Sequence, residues 1–137
     1  MKLLEIHTYY RNIHALQGVS VHVPERKICC LIGANGAGKS TTLMAISGIK
    51  KISSGSILFS GEPIHELAPE EIVRKGVIQV PEGRRVFPHM TVQENLALGA
   101  YLRKAKRDVS KSLETVFHLF PVLKGRRAQM AGTMSGG

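Results

Sequence analysis

One stretch of the sequence decides the fold: Gly33-Ala34-Asn35-Gly36-Ala37-Gly38-Lys39-Ser40. It follows an apolar run over residues 27–32 and precedes a helical pattern over residues 39–47, and its spacing is G-x-x-x-x-G-K-[S/T]. Glycines at these positions let successive backbone N–H groups curl around an anion, and the start of the helix adds partial positive charge. The stretch therefore predicts a phosphate-binding loop in an α/β domain. The alternative is a glycine-rich turn, a chance match on the order of one per cent in a chain of this length.

The last two residues of this motif, Lys39 and Ser40, have side chains that can bind a nucleotide. Lys39 can reach the β- and γ-phosphates, where its charge would offset theirs. The hydroxyl of Ser40 is placed to ligate Mg²⁺. The sequence thus predicts a site for a nucleoside triphosphate with Mg²⁺.

Length and composition exclude several classes of protein. The chain has 137 residues, of which 43% are hydrophobic, as expected of one folded domain. Its longest unbroken apolar stretch is residues 28–32, whereas a helix that crosses a bilayer needs about 20 apolar residues. The first residues lack the apolar core of a signal peptide. Cys29 and Cys30 are adjacent and cannot form a disulfide framework, so we expect two buried, inert thiols in a reducing compartment.

Positive charge is in excess, with 19 Lys and Arg against 10 Asp and Glu and a net charge of +9. Such an excess can indicate a nucleic-acid partner. No aromatic residues interleave with the basic cluster, as single-strand stacking would require. We therefore interpret the cluster as a solvated helix face and expect no nucleic-acid partner, with a nucleic-acid-associated P-loop ATPase as the alternative. The cluster consists of Arg103, Lys104, Lys106, Arg107 and Lys111.

The periodicity of apolar residues predicts alternating strands and helices up to about residue 90 and a more helical part after it. We therefore predict one domain over residues 1–90 and a second over 91–137. Thr91 and Glu94 have the spacing of a capping box that starts a helix. Strands are predicted at residues 3–6, 19–23, 27–32, 56–59 and 77–80, and helices at 39–47, 69–75, from 91 onward and at 109–120.

The whole chain resembles the ATPases of ATP-binding-cassette (ABC) transporters, in four motifs that occur in the order the family has them. Residues 31–43 resemble its Walker A region, and residues 80–88 are similar to its Q-loop region. Residues 91–96 (Thr-Val-Gln-Glu-Asn-Leu) follow as they do in the family, and residues 134–137 (Met-Ser-Gly-Gly) look like the start of the signature motif. The resemblance implies a P-loop NTPase core that is incomplete here, with an antiparallel β part at the N-terminus and the start of a helical subdomain.

The resemblance also assigns the residues that would bind ATP and Mg²⁺. Tyr10 stands where the family stacks an aromatic ring on adenine, and Thr41 is expected at the α-phosphate. Glu82 stands at the Q-loop position, where most relatives carry glutamine; with Ser40 it would ligate Mg²⁺, and a surface-loop acid is the alternative. The residues expected to bind ATP are Tyr10, Gly33, Ala34, Asn35, Gly36, Ala37, Gly38, Lys39, Ser40, Thr41, Ser135, Gly136 and Gly137.

The implied function is that of a transport ATPase. The wording of residues 81–87 (Pro-Glu-Gly-Arg-Arg-Val-Phe) and 131–137 (Ala-Gly-Thr-Met-Ser-Gly-Gly) resembles ATPase subunits of branched-chain amino-acid importers, and uptake systems for urea or amides are similar. Such subunits lie peripherally on the cytoplasmic face of the plasma membrane and bind membrane-spanning permease subunits. They form active sites in a head-to-tail dimer with a second ATPase subunit, and the stretch at 82–98 would face the permease.

One family motif has no counterpart in the 137 residues. The Walker B motif needs four apolar residues before Asp-Glu, whereas the single aspartate, Asp108, follows Lys104-Ala105-Lys106-Arg107. We therefore interpret the chain as an N-terminal part of an ABC ATPase that ends inside the signature motif and is inactive by itself. The alternative is a complete, non-hydrolytic nucleotide-binding or regulatory module.

Overall fold

The computed structural model describes residues 1–83, 85–102 and 106–134. The predictions on Ser135, Gly136, Gly137, Arg103 and Lys104 lie outside the described residues. The chain divides into two compact units, Met1–Val80 and Pro81–Gly137. The assignment of residues 1–90 and 91–137 to separate domains stays a prediction.

The first unit contains a four-stranded antiparallel sheet, as predicted for the N-terminal part. Its strands are β1 (Lys2–Tyr10), β2 (Ile13–His22), β3 (Ser54–Phe59) and β4 (Glu62–Pro63), in the order β2-β1-β3-β4. β1 pairs with both β2 and β3. The strands β1 to β3 are longer than predicted because backbone pairing continues past the points where apolar alternation stops.

The core of the first unit lies between the sheet and two helices, α1 (Lys39–Ile46) and α2 (Pro69–Arg74). Ala45 and Thr42 are the buried residues of α1. Leu43, the residue after Thr42, is 48% exposed. The face of α1 that packs against the core therefore carries the small residues Thr42 and Ala45, and the larger Leu43 lies outside it. The core residues are Leu3, Ile6, Leu16, Ala45, Ile57, Ile64 and Ile72.

Two predicted strands are absent from this part of the chain. Residues 27–32 and 77–80 are not strands, and Ile28 and Ile32 are 97% and 91% exposed. Cys29 and Cys30 are exposed too, so the prediction of buried thiols was wrong. A buried parallel strand needs a hydrogen-bonded neighbour on each side. No described strand pairs with either segment, and apolar composition alone does not bury a chain.

The second unit is helical. It contains α3 (Val92–Gly99), α4 (Lys106–Leu119), α5 (Pro121–Gly125) and a 3-10 turn at Ala131–Thr133. Helix α4 covers most of the predicted helix at 109–120, and Phe120 forms the N-cap of α5 instead. Over the residues that the structure describes, no helix combines the length and apolar character needed to cross a membrane.

A capping box starts α3, and the prediction from Thr91 and Glu94 is confirmed. The backbone N–H of Glu94 donates to the Thr91 hydroxyl over 3.2 Å. The Glu94 carboxylate accepts in return from the Thr91 backbone N–H and hydroxyl, over 2.7 and 2.8 Å. These hydrogen bonds to the ionised form lower the pKa of Glu94.

The lowered pKa of Glu94 makes the start of α3 sensitive to acid. A carboxyl whose pKa is lower in the folded state stabilises that state above its unfolded pKa, and the stabilisation is lost as pH falls through the folded pKa. We expect Glu94→Gln to flatten the pH dependence of the free energy of unfolding between about pH 7 and about pH 3. Urea unfolding followed by circular dichroism across this range would measure it.

The matched control for this measurement is Glu114→Gln. Glu114 is exposed in α4 and makes no hydrogen bond or ion pair with any described residue. Its substitution should leave the pH profile as it is in the unaltered chain. Equal flattening in both variants would contradict the assignment to the capping box.

Two segments of the second unit are joined by main-chain hydrogen bonds. The N–H groups of Val92 and Gln93 donate to carbonyls of residues 129 and 127, over 2.9 and 3.0 Å. In the other direction, Ala131 and Gly132 donate to carbonyls of residues 90 and 88, over 2.9 and 3.1 Å. The Asn95 side chain closes the loop before α3, since its amide donates to the carbonyl oxygens of residues 87, 90 and 91.

Candidate nucleotide-binding site

The predicted phosphate-binding loop connects residues 27–32, which form neither strand nor helix, to α1 in the first unit. Residues 33–37 are exposed, and a turn within them is closed by the Ala37 N–H, which donates to the Ala34 carbonyl over 3.1 Å. Lys39 turns back over this segment. Its Nζ donates to the carbonyl oxygens of Gly33 and Ala34, each over 2.8 Å. The one cation in the motif is therefore held at the loop, where an anionic ligand would bind.

Gly38 is the residue that directs the loop into α1. Its φ of +87° is left-handed, and a Cβ there would lie 2.7 Å from the Leu16 side chain. The first turn of the helix is secured by Thr42, whose N–H and hydroxyl both donate to the Gly38 carbonyl, over 2.8 and 2.9 Å. A glycine is required because a side chain would meet β2 in a strained backbone. The helix N-terminus consequently opens at the exposed loop.

Ser40 and Thr41 lie in the first turn of α1. Ser40 is exposed, and its hydroxyl forms no hydrogen bond with any described residue. Thr41 is half-buried. A free hydroxyl can ligate Mg²⁺, and a lysine at a helix N-terminus can bind phosphate, so the residues present fit the predicted metal and nucleotide.

Tyr10 lies at the end of β1 and contacts the far half of α1. Its hydroxyl donates to the Met44 sulfur over 3.7 Å, and the Lys50 Nζ lies 4.4 Å from the centre of its ring. Tyr10 is 41% exposed, so part of the ring is open to a ligand. Sequence reasoning missed Lys50, because no local pattern links it to a strand forty residues earlier.

The neighbouring aromatic group is a stack rather than a second open ring. The Tyr9 and His14 rings are parallel within 9°, with their centres 4.1 Å apart. His14 Nε2 is also 3.0 Å from His7 Nδ1, so the two imidazoles share a hydrogen bond. This stack joins β1 to β2 next to Tyr10. Among the described residues, no three His, Cys, Asp or Glu side chains are grouped to hold a metal ion.

Glu82, the second predicted Mg²⁺ ligand, belongs to the second unit. It is exposed, and its carbonyl oxygen accepts from the Arg85 side chain over 3.2 Å. Its carboxylate forms no hydrogen bond with the described part of the chain. The structure thus brings together Tyr10, the loop and α1 in the first unit, and the role of Glu82 stays a prediction.

In sequence, this chain resembles ABC transporter proteins and the ATP-binding proteins of branched-chain amino acid transport. The family model described as ABC transporter matches residues 16–137. The chain is 50% identical over 133 residues to a high-affinity branched-chain amino acid transport ATP-binding protein, BraG, of Pseudomonas aeruginosa, covering 97% of this chain and 57% of that protein. It is 31% identical over 137 residues to a probable branched-chain amino acid transport ATP-binding protein, LivF, of Archaeoglobus fulgidus, covering 100% of this chain and 58% of that protein.

Solved structures agree with these sequence relatives. A nucleotide-free ATP-binding cassette from an ABC transporter aligns with a TM-score of 0.82 at 27% identity, over 98% of this chain and 58% of that one. The chain thus spans a little over half the length of the relatives it matches. The family model covers most of the chain, and the fold, the loop and the relatives agree: the chain belongs to the ABC transporter family and has the fold of its ATP-binding cassettes.

Proposed function

We propose that this chain is the nucleotide-binding part of a transport ATPase that drives the import of branched-chain amino acids. The observation that carries the proposal is the arrangement of Lys39: its ammonium group donates to two carbonyls of an exposed glycine-rich loop at the start of α1. The relatives named above supply the solute class, since both are described as branched-chain amino acid transport proteins.

The geometry of the first unit supports binding of ATP by a simple exchange of partners. A triphosphate that enters the loop would take the Lys39 ammonium from the Gly33 and Ala34 carbonyls, and the backbone N–H groups of the loop would surround it. The N-terminus of α1 adds favourable partial charge, and Thr41 would contact the α-phosphate. Tyr10 would stack on adenine, with its exposed ring as the platform.

For Mg²⁺, the family resemblance assigns Ser40 and Glu82 as ligands. When bound, the ion supplies neutralisation of the phosphate charge and orients the terminal phosphoryl group. The Ser40 hydroxyl is free for this role among the described residues, and the Glu82 carboxylate is exposed and free in the same sense. A carboxylate oxygen suits Mg²⁺ at least as well as the glutamine oxygen that most of the resembled family carries.

The partners follow from the family resemblance. We propose that the protein acts with membrane-spanning permease subunits and a second ATPase subunit, peripherally on the cytoplasmic face of the plasma membrane. Ser135, Gly136 and Gly137 would contribute to the nucleotide site of the opposite subunit in a head-to-tail dimer. The family membership and the names of the relatives support this placement.

Uptake assays test the proposed solute class. Deletion of the gene should lower the uptake of radiolabelled leucine, isoleucine and valine several-fold, and the full-length protein supplied in trans should restore it. Glucose uptake is the control and should not change. A fall in urea or acetamide uptake with leucine unaffected would replace the solute class. ATP binding without turnover and without any transport defect would favour the regulatory module.

A further inference from the structure

Lys50 contacts the Tyr10 ring at the edge of the proposed adenine site, and the proposed function gives this lysine no role. Its ammonium lies 4.4 Å from the centre of the Tyr10 ring, well within the distance at which a cation is attracted by an aromatic face. Lys50 is half-buried, and its own backbone N–H donates to the Met44 carbonyl over 3.0 Å. The contact is therefore made from a backbone position fixed at the end of α1.

The Tyr10 ring is restrained from one direction. The Tyr10 hydroxyl donates a hydrogen bond to the Met44 sulfur, and the Lys50 ammonium lies over one face of the ring. Both contacts therefore come from the C-terminal end of α1 and the residues just after it. The phosphate loop enters the same helix at its other end, eight residues away, or about 12 Å at the usual rise per residue. A base whose phosphates occupy the loop would approach the ring from that opposite end.

We propose that Lys50 is a positioning residue for nucleotide binding: it packs on the face of Tyr10 away from the phosphate loop and holds the ring ready for adenine on the other face. This inference rests on the proposed function, in which Tyr10 stacks on adenine. A ring fixed before binding loses less conformational freedom when the base arrives, so the lysine strengthens binding without touching the nucleotide. It acts only through Tyr10.

The expected effect is modest and specific to the base. Lys50→Ala in the full-length protein should weaken ATP binding about three- to fivefold, in line with a cation–aromatic contact at an exposed site. Affinity for inorganic triphosphate, which has no base, should not change. Lys50→Arg should keep ATP affinity within about twofold because a guanidinium also packs on an aromatic face. Isothermal titration with both ligands measures these values.

Two matched variants separate this effect from general charge and packing. Lys51→Ala removes the same charge from the adjacent exposed residue and should leave ATP affinity unchanged. Tyr9 is as exposed as Tyr10, at 43% against 41%, but stacks on His14. Tyr9→Ala should therefore preserve ATP affinity, whereas Tyr10→Ala should lower it about tenfold, the usual scale for stacking on a base.

A double-mutant cycle decides between the possible results. In the Tyr10→Ala background, Lys50→Ala should cause no further loss of ATP affinity. Tighter ATP binding by Lys50→Ala would show that lysine and base compete for one face, which overturns the proposal. Equal losses for ATP and triphosphate, or for Lys50→Ala and Lys51→Ala, would overturn it as well. If Tyr10→Ala itself leaves ATP affinity unchanged, the assignment of adenine to Tyr10 fails instead.

Discussion

Lys39→Ala should lower the affinity of the full-length protein for ATP by roughly a hundredfold. The ammonium makes two hydrogen bonds of 2.8 Å at the loop, and phosphate oxygens would replace the carbonyl acceptors. A hydrogen bond to a charged group contributes about 1.5–3 kcal/mol, and each 1.4 kcal/mol is about tenfold in affinity. Isothermal titration calorimetry of the purified variant with ATP measures this affinity directly.

Lys51→Ala is the matched control for this loss, because it removes an exposed lysine that is outside the loop. It should bind ATP like the unaltered protein. A circular dichroism spectrum of Lys39→Ala that matches the parent would exclude unfolding as the cause. Unchanged ATP affinity in Lys39→Ala would show that the loop does not bind the nucleotide.

Gly55→Ala should lower the free energy of unfolding by about 3–5 kcal/mol, through backbone strain added to overpacking. Gly55 has a φ of +91° in β3, and a Cβ there would lie 2.6 Å from the Leu4 carbonyl oxygen and closer still to that of Glu5. These are backbone atoms of the adjacent strand and cannot move aside without opening the β1–β3 ladder. Urea unfolding followed by circular dichroism would measure the loss.

Gly61→Ala separates the clash from the backbone strain. Gly61 has nearly the same left-handed φ, +86°, but a Cβ there meets nothing within 4 Å. We expect a loss of about 1–2 kcal/mol, which is the cost of the conformation alone. Equal losses at the two glycines would mean that β1 relaxes to accept the methyl group, and the clash at Gly55 would then carry no energy.

Local chemistry made part of this structure predictable. The predicted phosphate-binding loop and the capping box at Thr91 are local signatures, and each is defined by eight neighbouring residues or fewer. The antiparallel β part at the N-terminus was implied by the family resemblance, and the structure has it. The structure has a helix after the loop, the capping box at the start of α3 and antiparallel strands at the N-terminus, whereas residues 27–32 before the loop are not a strand.

What could not be predicted depends on contacts between distant residues. The apolar pattern of residues 27–32 indicates a buried strand only if neighbours pair with it, and no described strand does. Burial in α1 falls on Thr42 and Ala45 because their face of the helix packs against the core, and the helix sequence alone does not show which face that is. The cation on the Tyr10 ring is Lys50, which lies forty residues further along the chain, and no local sequence pattern links two residues so far apart.

The hydrogen bonds between residues 88–93 and 127–132 determine how the second unit can deform. Four main-chain bonds run in both directions between the segments, and Gly132 lies so close to Pro88 that a Cβ there would be 2.8 Å from the proline side chain. Sliding one segment along the other would break these bonds together, so the pair is stiff in shear. A force on the exposed residues 85–87 would therefore move residues 127–132 together with residues 88–93. Residues 127–132 come shortly before Ser135 in the sequence.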